Sequence, residues 1–216
     1  MEYIRRETKK RFSSVYLQLI GIIQALSLGY LFTTIYESKQ YFWSLDIDST
    51  IFWLKIAFVT HLIILIWHEY VIGLIYFKWV LGLQDSIIPF AFGLAQFGVI
   101  TTLTLPNSKI GLWYFWVAFQ FTVGIWGYLN MYSKARSEAN RESDEENYNA
   151  KVFKRIGHYP TITVLSLVAM LFSVLLAVCT RLVTDSPILC LVVLNILIVL
   201  FTIRGSRVWR IITKSG

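Results

Sequence analysis

Metal-ligand and disulfide patterns are nearly absent from this chain. Its 216 residues hold two cysteines and three histidines, too few and too scattered for a zinc-ligand cluster. Catalytic signatures are missing as well. There is no Gly-x-Ser-x-Gly turn, no pair of transmembrane aspartates and no phosphate-cradling glycine loop, so the chain is not expected to be an enzyme. No metal or cofactor is expected either. His61 and His68 lie two helical turns apart, roughly 10 Å along the axis, which is too far for one ion. The stretch His68-Glu69-Tyr70-Val71-Ile72 lacks the second histidine of a zinc-protease helix, and the only other histidine, His158, sits in a loop, where it offers no second axial ligand to a haem. Cys179 and Cys190 lie near the outer ends of the last two apolar runs, where they read either as small apolar residues in a bundle or as a disulfide pair.

Long polar stretches are also scarce, and little chain remains for a soluble domain. Apolar residues make up 56% and aromatic residues 16% of the sequence, arranged as repeated long runs rather than one core behind polar faces. Six runs, about 13–36, 50–76, 86–105, 110–132, 160–183 and 187–208, predict an all-α polytopic membrane protein with six transmembrane helices. The organisation expected is a basic lead-in at 1–12, four helices over 13–132, a charged connector at 133–159, two helices over 160–209 and a tail at 210–216. The first run is too long for a signal-peptide core and is expected to persist as a helix.

Charge assigns the sides. Arg5, Arg6, Lys9, Lys10 and Arg11, then Lys78, then Lys134 to Arg155, and finally Arg204 to Lys214 flank one end of the runs, while the other end has only Lys39, Lys55, Lys109 and Arg181. The positive-inside rule then predicts that both termini are cytoplasmic. The net charge of +7 is accounted for by anionic lipid headgroups, so the bilayer is the expected partner and nucleic acid is not. A bacterial inner membrane is the expected location.

The stretch from Lys55 to Tyr76 is long enough to span a bilayer and yet carries His61, His68 and Glu69. Ionisable groups at that depth turn toward protein or water. They read either as hydrogen-bonded packing groups or as a conduction or proton-sensing path. The turn after it is short, which predicts that the second and third helices are antiparallel neighbours. On the third helix Asp85, Pro89, Phe92 and Gln96 share a face, and Asp85 is expected to cap the helix or to pair with Lys78. On the first helix Ser14, Gln18, Gly21, Ala25 and Gly29 form a narrow small-and-polar stripe, flanked by Leu28 and Phe32. That stripe suits either close helix packing or a pore lining that the bulky neighbours close by dewetting. The fourth helix aligns Gln120, Gly124 and Gly127, and its aromatic remainder predicts a lipid-facing outer helix. The basic cluster Arg5, Arg6, Lys9, Lys10 and Arg11 is first an anchor at the headgroups and second a contact for an anionic ligand or lipid. The segment 133–158 is the longest soluble piece, the natural contact for a cytoplasmic regulator.

Three local features resemble the six-helix lysosomal and bacterial potassium-channel family that lacks a re-entrant filter loop. They are Arg11-Phe12-Ser13 opening the first helix, Trp67-His68 late in the second and Ile88-Pro89-Phe90 in the third, with Ser14 at the position of that family's aspartate. The resemblance covers residues 11–105 and implies a pore lined by the first helices of an oligomer, with bulky apolar side chains as its constriction. The resulting expectation is a homo-oligomeric, cation-conducting channel, a homotetramer passing potassium, lined by Ser14, Gln18, Gly21, Ala25, Leu28 and Phe32. A ligand- or partner-controlled membrane effector, as in bacterial antiphage defence, and a secondary transporter are the alternatives.

Overall fold

Helix formation follows the apolar runs, and the helices overrun them. In the computed structural model all residues are described except 1, 45, 78–81, 142–150, 153, 155, 156, 158, 180 and 214–216. Helix α1, Glu2–Glu37, takes in the basic lead-in together with the first run. Helix α2, Ile47–Tyr76, begins before its run because the Asp46 carboxylate accepts the Ser49 amide at 2.7 Å and caps the first turn. Helix α3, Leu83–Thr101, is continuous through Pro89; the imide ring removes only the bond back to the Asp85 carbonyl, near the helix start. Helix α4, Ile110–Arg141, extends well past its apolar run. Helix α5, Tyr159–Cys179, a short α6, Leu182–Asp185, and α7, Pro187–Thr213, follow among the described residues, with Arg181 in the left-handed region between α5 and α6. There is no strand among the described residues.

Among the described residues five segments are long and apolar enough to cross a membrane: Val15–Glu37, Ile47–Val71, Asn107–Asn140, Pro160–Cys179 and Pro187–Ser206. They mark the chain as an integral membrane protein. Helix α3, which carries Gln84, Asp85 and Gln96, is not among the five.

The six long helices close into a ring in the order α1, α3, α4, α5, α7, α2. Although α2 and α3 follow each other in the chain, α3 packs chiefly between α1 and α4 and meets α2 mainly through side chains, with the Tyr70 and Phe92 rings 5.4 Å apart. Gly98 is one reason. A Cβ there would run into the Trp116 ring, so only glycine lets α3 approach α4 this closely.

Aromatic side chains fill the bore of the ring toward the Asp46 end, where Phe58 of α2 meets Trp113 and Phe121 of α4 at ring separations of 5.6 and 6.5 Å. Trp113, Tyr114, Val117 and Phe121 are all buried. The expectation of α4 as a lipid-facing outer helix is corrected in part: Trp113, Tyr114 and Phe121 plug the interior, while Phe115 and Trp126 stand exposed. The least buried of the spanning segments are those of α1, α5 and α7, where Leu26, Leu165, Phe172, Ile196 and Leu200 stand exposed.

Candidate functional site

Helix α1 has two polar faces, and they point in opposite directions. On the inner face Ser27 donates to the Gln96 side-chain carbonyl at 2.8 Å, and the Gln96 amide donates to Gln24 at 2.9 Å. All three side chains are buried, so each offers hydrogen-bonding capacity that the others satisfy. This chain ties α1 to α3. On the outer face Gln18, Ala25, Gly29 and Phe32 are exposed and Gly21 is partly so. A Cβ built at Gly21 or Gly29 meets nothing within 4 Å. Leu28 is partly buried against the hydrophobic core. The side chains of Ser14, Arg5, Arg6, Lys9, Lys10 and Arg11 lie outside the described residues, although their backbone belongs to α1.

The histidines of α2 are separated in role as well as in space. His61 Nε2 and the Thr202 hydroxyl of α7 are 3.0 Å apart, and Asn195 of α7 donates to the Leu54 carbonyl at 3.1 Å, so this pair of contacts joins α2 to α7. His68 is partly exposed, and its Nδ1 lies 3.6 Å from Glu69 Oε1, beyond hydrogen-bond length. Glu69 is buried, and its Oε2 accepts the Tyr128 hydroxyl at 2.6 Å. Lys55, which the sequence places at the outer end of the second run, is buried in α2. Its Nζ is 3.4 Å from the Leu103 carbonyl oxygen and 5.8 Å from the Trp113 ring centre. The reason is the early start of α2, which puts Lys55 more than two turns inside the helix.

Asp85 is both cap and counter-ion. One oxygen accepts the Gly82 amide and the Lys134 ammonium, each at 2.6 Å, and the other accepts Asn130 Nδ2 at 2.6 Å. The carboxylate is 2% exposed and Lys134 28%, so the pair is sheltered on one side and reaches solvent through the lysine. Lys134 enters because α4 continues past its apolar run; Lys78 lies outside the described residues.

Between these groups the bore of the ring stays open. A cavity of about 80 Å³, counted over positions open to a water centre, lies between α2, α3 and α4 and reaches α1, α5 and α7. Its walls are mainly apolar, with Leu62, Phe92, Phe121 and Met170 among them. Glu69, Asp85 and Gln120 also line it. Gln120 is buried, and neither its amide nitrogen nor its oxygen has a hydrogen-bond partner. Glu69 Oε1 is likewise buried without one. A buried amide left unpaired costs free energy on the order of 1–3 kcal/mol per group.

No protein family, curated protein or solved structure matches this chain. The remaining expected features are structural. Arg204 of α7 donates to the Ser166 hydroxyl of α5 at 2.7 Å, and Cys179 and Cys190 are free thiols. In the loop before α2, Tyr41 stacks on Phe52 at 4.6 Å and Trp43 projects fully into its surroundings. The hydrogen bond from the Ser49 amide holds the Asp46 carboxyl below its usual range. Among the described residues no group of three or more His, Cys, Asp or Glu is placed to hold a metal ion. Sequence reasoning missed Gln24, Ser27, Tyr128, Asn130 and Lys134 as partners of the residues it singled out. Their signal was the i, i+3 and i+4 spacing of Gln24 with Ser27 and of Asn130 with Lys134.

Proposed function

We propose that the chain forms a homo-oligomeric ion channel in which several copies place the outer face of α1 around a common axis. One observation carries this reading: Gln18, Gly21, Ala25 and Gly29 form a polar, small-residue face that the chain's own helices leave uncovered. In a bilayer such a face either meets hydrocarbon, at a cost for the unpaired glutamine amide, or meets another copy and water. Phe32, exposed at the far end of the same face, supplies a bulky apolar ring for a constriction. In this reading α3 is the sixth span, since its 19 residues extend about 28 Å, close to the hydrocarbon thickness. Both termini then lie on the cytoplasmic side with the basic segments. Glu37, Asp46 and Asp48 sit at the opposite mouth, where they concentrate cations. The resemblance of residues 11–105 to the six-helix potassium-channel family supports the same arrangement.

The test is passive flux from liposomes containing the purified chain under K⁺, Na⁺ and Cl⁻ gradients. Cation flux that follows the gradient and changes severalfold in Gln18→Leu and Phe32→Ala is the expected result. Absence of flux, or flux indifferent to both substitutions, would overturn the reading.

A further inference from the structure

We propose that the end of the cavity around Gln120 binds a small neutral molecule with an apolar body and one hydroxyl group. The inference does not depend on conduction, because the cavity lies within a single copy of the chain. It starts from a contrast between buried glutamines. Gln24 and Gln96 hydrogen-bond to each other and Gln96 also to Ser27, whereas Gln120, 1% exposed and lining the cavity, has a partner at neither amide atom. The other polar side chains of the walls stand at the opposite end. Tyr128 and Asn130 follow Gln120 on α4 by two turns or more, about 12 Å along the axis, and there they bind Glu69 and Asp85. Tyr70 lies against Gly127, and Tyr16 against Tyr70, so both belong to that same end.

The surroundings of Gln120 choose the ligand. Phe121, the next residue on α4, belongs both to the cavity wall and to the aromatic plug, where it meets Phe58. The plug therefore closes this end. Leu62 of α2, Met170 of α5 and Phe201 of α7 supply further apolar wall. A charged ligand finds no counter-charge within two turns, so its desolvation goes uncompensated. Water alone fits poorly, because a buried water takes about two to four polar partners and a single amide among apolar side chains does not supply them. A hydroxyl on an apolar body meets both conditions: it donates to the Gln120 oxygen and accepts from the Gln120 nitrogen, while its body lies against the apolar wall. At about 80 Å³ over water-centre positions, the cavity has the space of several waters, enough for an aromatic ring with a short arm.

The test titrates three probes of similar shape, benzyl alcohol, toluene and benzylammonium, calorimetrically into the full chain in detergent micelles. Partition into detergent is the same for every variant, so affinities are compared between chains. Saturable binding of benzyl alcohol and toluene, and far weaker binding of benzylammonium, is the expected result. Gln120→Leu removes two unpaired polar atoms at nearly constant volume and so keeps the fold. It is expected to lower the affinity of benzyl alcohol relative to toluene about fivefold, the scale of one neutral hydrogen bond. A Cβ at Gly124, on the cavity wall one turn from Gln120, makes only an ordinary contact 3.8 Å from Leu167, so Gly124→Ala also folds. By narrowing the site it is expected to weaken both neutral probes. Absence of saturable benzyl alcohol binding, the result for a cavity that holds only water or a detergent tail, would overturn the proposal. So would an unchanged affinity ratio in Gln120→Leu, neutral probes indifferent to Gly124→Ala, or benzylammonium binding as tightly as benzyl alcohol.

Discussion

Single residues decide which polar groups this molecule can bury. The Asp85 carboxylate tolerates 2% exposure because three donors surround it. Removing the lysine alone leaves a charge without its counter-ion, so Lys134→Met is expected to cost about 2 kcal/mol, discounted from the usual value for a buried pair because the lysine is partly exposed. Adding Asp85→Asn to that variant removes the charge and is expected to recover most of the loss, since the amide oxygen still accepts from Gly82. Unfolding titrations in mixed micelles measure both, and equal instability of the single and double variants would contradict the role of charge. The Asp46 cap titrates at the opposite end. Its carboxyl is held below the ordinary range by the Ser49 amide, so its contribution is fully present above the usual carboxylate pKa and is lost as pH falls through the lowered value. Hydrogen exchange at the Ser49 amide is expected to quicken over that acidic window, relative to its intrinsic rate, and to be unprotected throughout in Asp46→Ala.

At the scale of elements, helix order in the ring is set by close approaches rather than by chain order. Gly98 lets α3 lie against Trp116 of α4, and the Gln24, Ser27 and Gln96 hydrogen bonds hold its other side to α1. Gly98→Ala is expected to destabilise the bundle by about 1–3 kcal/mol, the range for overpacking. Trp116→Ala in the same chain makes room for the added methyl, so the two effects are expected to be strongly non-additive. Simple addition in the same unfolding assay would show that the contact does not set the spacing. The helices themselves were legible, because runs of apolar residues long enough for a bilayer leave few alternatives. Their neighbours were not. Few residues separate α2 from α3, yet no local pattern records that α3 turns its buried face to α1 and α4. Periodicity marked the outer stripe of α1 but passed over Gln24 and Ser27, since two polar faces on one helix do not reveal which one is inside. Lys55 was legible as part of the second run, but its burial was not: the helix start set by the Asp46 cap puts it more than two turns inside α2. Gln120 was visible as part of a seam with Gly124 and Gly127, and its lack of partners appears only once α2, α3 and α4 are assembled.

The whole molecule is a ring of helices with an aromatic plug in one half, a polar-edged cavity in the other, and an uncovered polar face on α1. Its central claim is that another copy covers that face. The most direct measurement is disulfide cross-linking in native membranes, with Cys179 and Cys190 replaced by serine and one cysteine placed at a time on α1. Ala25→Cys and Gly29→Cys, on the outer face, are expected to link copies rapidly under mild oxidation, while Ile23→Cys, buried against α3 and its neighbours, is expected not to. Failure of both outer positions to cross-link, in chains shown to be folded, would mean that the face meets lipid, and would contradict the account.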